Sequence, residues 1–472
     1  MSFTHYEMQR NTSKSLIDFL VGFALLLLYI YLYLYVYEFG IFPRWGYFGF
    51  RLEGLHSISV AVSILYILVL YLVLPKSASW ASDYILWLLF VLSFIPIQLT
   101  ISISGTAQNG INLLQAALFI SFLVAIYFSR FLSSIAWLGL VKSNSNLGGS
   151  DYVVRHSVNK SSVQKTILAS SVFFSIILIV KFYPVMSFSG MDEVYQQRAA
   201  AADYGINVFF GYIILWSTYL IGPLMLLIGL VRKRSIFIFG SIVVFTIVYM
   251  VNASKIVFVI FSFYIAIYYF NRFGLKDKLY LLLLAPVFPL LASFVVDLSS
   301  PDGSIVSYIV DQLVVRGIAI QAMIFNLYVE FFSNNPNTYY SHVAIFSSVI
   351  EYPYDLPIGR VISLYQYGHP DANANSGIWA ADGVAAAGEI GVIIVGLLLG
   401  LFLGFLNRLT KGGSHEILSL AMVPLAMLMV NASLFTTLAS GGGLLLVFAV
   451  RALCLEFKKT SYNIDNDFLG EI

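Results

Sequence analysis

The chain has 472 residues, 59% of them hydrophobic and 11% charged, with a mean hydropathy of +0.86. A water-soluble globule carries about a quarter charged residues, so this composition excludes one and points to an all-α polytopic membrane protein. A formal charge of +2 is too small to suggest a nucleic-acid partner, and a single cysteine, Cys454, excludes an internal disulfide and any Cys-based metal site.

The polar start MSFTHYEMQRNTSKS leads into an apolar run from Leu16 to Val36 with no small-residue cleavage site after it, which reads as a span rather than a secretory leader. A helix that crosses the bilayer needs roughly 20 mainly apolar residues. On that criterion the pattern predicts about 12 transmembrane helices in one integral membrane domain, 1–472. They cover residues 16–37, 57–75, 84–103, 111–129, 166–182, 206–231, 235–251, 255–271, 278–296, 390–407, 417–435 and 441–457.

Cytoplasmic loops hold the excess of Lys and Arg, so counting charges on alternate sides orients the chain. Of the 26 Lys and Arg, eighteen fall on the side of the N-terminus and seven on the other, with Arg451 inside the last span. Both termini are expected to be cytoplasmic. Three segments then lie outside: the aromatic stretch 38–56, a loop over 183–205 that reads YPVMSFSGMDEVYQQRAAAADYG, and a long loop over 297–389. Within the last, Ile305 to Phe332 has helical periodicity with Asp311, Arg316, Gln321 and Glu330 spaced among apolar residues. Such a segment lies in the interface as an amphipathic helix or re-enters the bilayer shielded by protein. The polar stretch Tyr352 to Glu389 is rich in Gly, Pro and Asn and carries Asp355, Arg360, His369, Asp371, Asp382 and Glu389.

Cations are scarce on the outer side. Arg198 and Arg360 suit phosphate recognition, because a guanidinium grips phosphate oxygens with two parallel hydrogen bonds. Arg198 also has Asp192, Glu193 and Asp203 nearby as salt-bridge partners, and Arg316 is a further diphosphate-binding candidate, behind Arg360 because its apolar setting also fits a snorkelling charge. Lys255 follows the turn NAS at the outer start of a span, where a charge snorkels or faces an anionic headgroup. For acid/base work on a hydroxyl, His369 with nearby Asp371 is the first candidate and His342 in NTYYSH the second, with Asp355, Asp371, Asp382 and Glu389 as alternative bases. No HxH, HExxH or DxD occurs outside and no GxxxxGKS occurs anywhere, so neither a metal nor an ATP-driven cycle is expected.

The twelve-span plan, VYQQR in the mid-chain loop, the lysine after NAS, then NPNTYYSH and ANANSGIWAADG followed by a span that starts GEIGV, together resemble the Wzy-type O-antigen polymerases. That resemblance covers most of the chain as architecture, through short motifs. It implies a GT-C-like glycosyltransferase of lipopolysaccharide and surface-polysaccharide biosynthesis, in the bacterial inner membrane with its active site facing the periplasm. Such an enzyme uses no metal or other cofactor and joins undecaprenyl-diphosphate-linked oligosaccharides, with a Wzz-type chain-length regulator as a partner. Carried onto this chain, the family's external arginines match Arg198 and Arg360, and Lys255 stands where relatives often have an arginine. The RX10G spacing of some members is absent, because the residue eleven positions on is Phe209 or Asp371. An O-antigen ligase shares the architecture, and a lipid-linked oligosaccharide flippase or other transporter shares the number of spans. Transporters gather polar residues at mid-span, whereas here they collect outside.

Overall fold

The computed structural model describes residues 2–54, 57–105, 113–134, 162–188, 190, 193–299, 310, 312–343, 346–370, 374 and 378–469. Every element among them is helical. Among the described residues nine helices are long and apolar enough to cross a membrane: Leu16–Phe48, Ala81–Ile103, Leu113–Ser134, Ser162–Val185, Val208–Arg232, Ser235–Asn252, Leu279–Val296, Gln312–Asn334 and Ala381–Leu409. Shorter apolar helices run over Ile58–Val73, Ile256–Arg272 and His415–Asn431, and a last helix covers Gly443–Leu469. The chain is therefore an all-α polytopic membrane protein.

Two segments differ from the sequence reading. Gln312–Asn334, expected as an amphipathic loop helix, has the length and apolarity of a span. Its polar residues are taken up inside the protein: Gln321 donates to Asn431 at 2.9 Å and Glu330 pairs with Arg51 at 2.9 Å. The other is the helix expected over 390–407, which begins already at Ala381 and is broken near its start. Residue Asp371 and the linker over 135–161 lie outside the described residues.

Ala81–Ile103 forms the centre of the bundle, buried along its whole length. A helix that is hydrophobic on all sides packs in the core of a membrane protein as of a soluble one. Its π-turn at Phe90–Phe94 has a simple cause. Pro96 has no N–H to offer the carbonyl of Leu92 four residues earlier, so the ladder widens there. The same relation holds between Pro43 and the π-turn Tyr37–Ile41, and between Pro223 and Ser217–Ile221.

The most extensive helix pair joins Leu113–Ser134 to Ala381–Leu409. Gly396, Gly400 and Gly404 face Ser121, Phe128 and Leu132 so closely that a Cβ would approach to 2.2, 2.8 and 2.6 Å of the nearest atoms. Small residues every fourth position let helix backbones meet where lipid offers no hydrophobic drive for association.

One end of the bundle carries a polar clamp. Asp83, with a fully buried side chain, accepts from the Ser79 and Trp80 amides at 2.8 Å each and pairs with Arg130. Beside it Asn407 holds Ser82 and Ser133, and Lys278 pairs with Asp18 at 3.1 Å. Arg130→Met leaves the Asp83 carboxylate buried without its cation, and breaking such a pair costs about 3 kcal/mol. The expected result is a lower thermal unfolding midpoint of the purified protein; an unchanged midpoint would show the pair to be idle.

Candidate active site

The opposite end of the bundle is built around the broken helix. Gly388 takes φ 58° and ψ −133°, and Ala387 φ −160° and ψ 33°. Only glycine enters the first of these regions without strain. The break lets the half-helix Ala381–Ala386 fold back on the start of the long half, where Gly391 lies against Gly383. A Cβ on Gly391 would come within 2.0 Å of the Gly383 carbonyl oxygen.

Breaking a helix frees its last carbonyls, which in a buried setting must find donors. The turn Thr338–Tyr340 supplies them. The Thr338 amide donates to Ala385 O at 2.8 Å, the Tyr339 amide to Ala386 O at 3.0 Å, and Thr338 Oγ1 lies 3.0 Å from Ala385 O. Tyr339 and Tyr340 take left-handed φ values of 47° and 68°. Each such conformation costs a bulky residue about 1–3 kcal/mol and persists only where the surroundings enforce it.

This docking delivers His342 to Asp382. Thr338 Oγ1 stands 2.7 Å from His342 Nδ1, and His342 Nε2 stands 3.4 Å from Asp382 Oδ1, with side chains 6% and 5% exposed. Thr338 has one hydroxyl proton to give. If Nδ1 receives it, Nε2 carries the ring proton and points it at the carboxylate; if Ala385 O receives it, Nδ1–H donates to Thr338, and only an imidazolium then presents a proton to Asp382. At 3.4 Å the pair is wider than a good hydrogen bond. His342 Nε2 and Asp382 Oδ2 have no hydrogen-bond partner among the described residues, so a hydroxyl brought there meets an acceptor at the carboxylate, and a second one at Nε2 when Nδ1 carries the ring proton. The Tyr340 ring stacks on the imidazole at 6.4 Å and touches Phe346 and Phe435, closing the pair off. Burial, and then the Asp382 charge, push the Tyr340 phenol up to about 12. It stays a donor at neutral pH and bonds Gly391 O at 3.3 Å.

The cations fall into two groups. On the short helix Val194–Asp203, Arg198 donates to Asn252 O at 3.1 Å and Ala253 O at 3.3 Å, the terminal carbonyls of Ser235–Asn252. A guanidinium there meets the negative end of the helix dipole. Lys255 follows two residues after Ala253, so Arg198 and Lys255 share one turn. Arg360 is exposed on the helix Ile358–Tyr367, which packs against the helix Ile320–Asn334, and His369 is exposed just beyond it. Arg316 packs over the Phe48 ring at 5.0 Å. The histidine brought to a buried carboxylate is thus His342 rather than His369. The partnership rests on Asp382, forty residues away in the chain, and on Thr338, neither of which local pattern connects to His342.

No group of three or more His, Cys, Asp or Glu able to hold a metal ion occurs among the described residues. Compared with known proteins, the chain matches no family model, no curated protein and no solved structure.

Proposed function

We propose that this chain is a GT-C-like glycosyltransferase with twelve spans that polymerises undecaprenyl-diphosphate-linked repeat units on the periplasmic face of the bacterial inner membrane. The observation that carries this reading is the buried His342–Asp382 pair, held by a broken helix at the end of a polytopic bundle away from its basic clamp. Its short motifs, NPNTYYSH and GIWAADG, are those on which the resemblance to the Wzy-type polymerases rests.

In this reading a sugar hydroxyl of the acceptor gives its proton to His342 Nε2 as its oxygen bonds to the anomeric carbon of the donor. The bond from that carbon to the diphosphate breaks, and the leaving diphosphate takes the electron pair. Asp382 stabilises the imidazolium that results, and Arg198 with Lys255 meets the charge on the phosphates. One base and one leaving group suit a single displacement with inversion.

The deciding test is the surface polysaccharide of a strain deleted for this gene, run as a gel ladder. Loss of a polymerase leaves single repeat units on the lipid A core. A profile without single-repeat material would move the assignment to a ligase or flippase. A charge-assisted hydrogen bond contributes about 1.5–3 kcal/mol, so Arg198→Ala is expected to cut long-chain product about ten- to a hundredfold. The variant should still insert normally. A wild-type ladder would remove Arg198 from the phosphate site. His369→Ala is expected to keep polymerising.

A further inference from the structure

An acceptor hydroxyl has to reach the His342–Asp382 pair, whose side chains are 6% and 5% exposed. Part of the cover must therefore move. That cover is made of three rings: Tyr340 lies over the imidazole, Phe435 meets Tyr340 edge-on at 5.9 Å, and Phe346 stands 6.2 Å from each of them. Tyr340 is pinned, because its hydroxyl bonds Gly391 O and its turn carries the amides that hold the broken helix. Phe435 rides instead on a helix of five residues, Leu434–Leu438, too short to hold itself.

We infer that Leu434–Leu438 is a lid over the histidine, hinged at Ala432–Ser433 and at Gly441–Gly443 and latched by Trp216. The hinges are visible in the backbone. Ala432 and Ser433 are extended and cut the lid off from the helix His415–Asn431, and on the far side Gly442 holds φ 76° within a run of three glycines. The latch comes from the helix Val208–Arg232: Trp216 Nε1–H donates to Ser440 O at 3.0 Å, and a Cβ on Gly442 would lie 3.1 Å from the same indole. There is room for the lid to leave its seat, because Ala439, Ser440 and Trp216 line a cavity of about 480 Å³. The seat itself is imperfect. Thr437 is fully buried, yet its Oγ1 has no hydrogen-bond partner among the described residues, and a hydroxyl buried in that way opposes closure. Seated, the lid keeps water from His342 Nε2, where it would compete with the acceptor hydroxyl for the donor. Displaced, it opens the same nitrogen to the acceptor.

The lid deepens the glycosyltransferase reading and rests on it for the hydroxyl that must pass, but its test needs no turnover. Purified full-length protein is treated with diethyl pyrocarbonate, and modification of each histidine is timed by peptide mass spectrometry, with the exposed His369 as the internal standard. His342 is expected to react far more slowly than His369. Trp216→Phe removes the latch without touching the three rings, and should speed His342 about two- to tenfold, the range that a lost neutral hydrogen bond produces. Phe435→Ala should speed it at least as much. Deuterium uptake over 434–441 should rise in Trp216→Phe while that of Ala81–Ile103 stays at its wild-type level. Gly442→Ala strains the same latch from the other side and repeats the test should Trp216→Phe not fold. His342 reacting as fast as His369 in the parent would overturn the closed state. Acceleration by Phe435→Ala alone would make the ring a fixed plug, and a rise in uptake along Ala81–Ile103 would make the opening global; either result overturns the hinged lid. A negative result here leaves the deletion ladder untouched, and a negative ladder leaves the accessibility of His342 measurable.

Discussion

Replacing His342 by glutamine is expected to lower polymer formation by a factor of about a hundred to ten thousand, the range over which a positioned general base contributes. Glutamine keeps a polar group within reach of Thr338 and Asp382, so thermal stability should stay close to that of the parent. The pair of measurements separates chemistry from scaffolding. A histidine that merely pins the Thr338–Tyr340 turn to the broken helix would lose stability with activity. One that takes a proton loses turnover alone, in kcat with KM little changed. Asp382→Asn should have a smaller effect on turnover, because it removes the charge that steadies the imidazolium but not the acceptor nitrogen. The double variant should be no worse than His342→Gln, since residues that act as a unit do not add. A normal ladder from His342→Gln would return the role of base to His369 or to a carboxylate of the polar stretch.

The second large effect is expected at Gly391, through the backbone. A Cβ there meets the Gly383 carbonyl at 2.0 Å, and backbone cannot swing aside as a side chain tip does. Valine at 391 should cost about 3 kcal/mol through overpacking. It should also push the half-helix Ala381–Ala386 off the long half and drag Ala385 O and Ala386 O from the amides that hold the Thr338–Tyr340 turn. Both the thermal midpoint and polymer formation are then expected to fall. Gly211 gives the control, because an added Cβ there meets nothing within 4 Å. Gly211→Ala should leave both readouts as they are. If Gly391→Val folded and polymerised normally, the packing of the half-helix would not be what positions the histidine.

The all-helical membrane character was legible because bilayer thickness writes itself as twenty-residue apolar runs; among the described residues nine helices are long and apolar enough to cross, and one of them, Gln312–Asn334, was not among the predicted spans. What escaped has a physical reason in each case. GIWAADGVAAAG contains no long apolar run, so its fold-back as a buried half-helix is invisible to hydropathy; the signal present was the small-residue content that lets Gly383 and Gly391 touch. The helix over Gln312–Asn334 looked half polar because Arg316, Gln321 and Glu330 recur along it, and no local pattern shows that Asn431 and Arg51 answer two of them. His369 ranked first because it sits in a visibly polar stretch. His342 ranked second, because its environment is assembled from a tyrosine turn, a threonine and a carboxylate carried on another helix. Arg198 reaches the turn before Lys255 because the end of the helix Ser235–Asn252 offers open carbonyls to a nearby guanidinium. The glycines at 396, 400 and 404 form a close-packing stripe whose spacing does not name the helix they meet.

That stripe also sets a timetable for the newborn chain. Leu113–Ser134 is made early, yet the surface it must close on, Ala381–Leu409, leaves the ribosome only when most of the protein has been synthesised. Loops that long are slow to close. Until they do, Ser82 and Ser133 lack Asn407, and the central helix lacks one of its walls. The first spans must therefore wait in the bilayer as a half-built bundle, with lipid or an insertion chaperone standing in for the missing helix, and a chain cut short before residue 381 should be recognised by membrane proteases as unfinished.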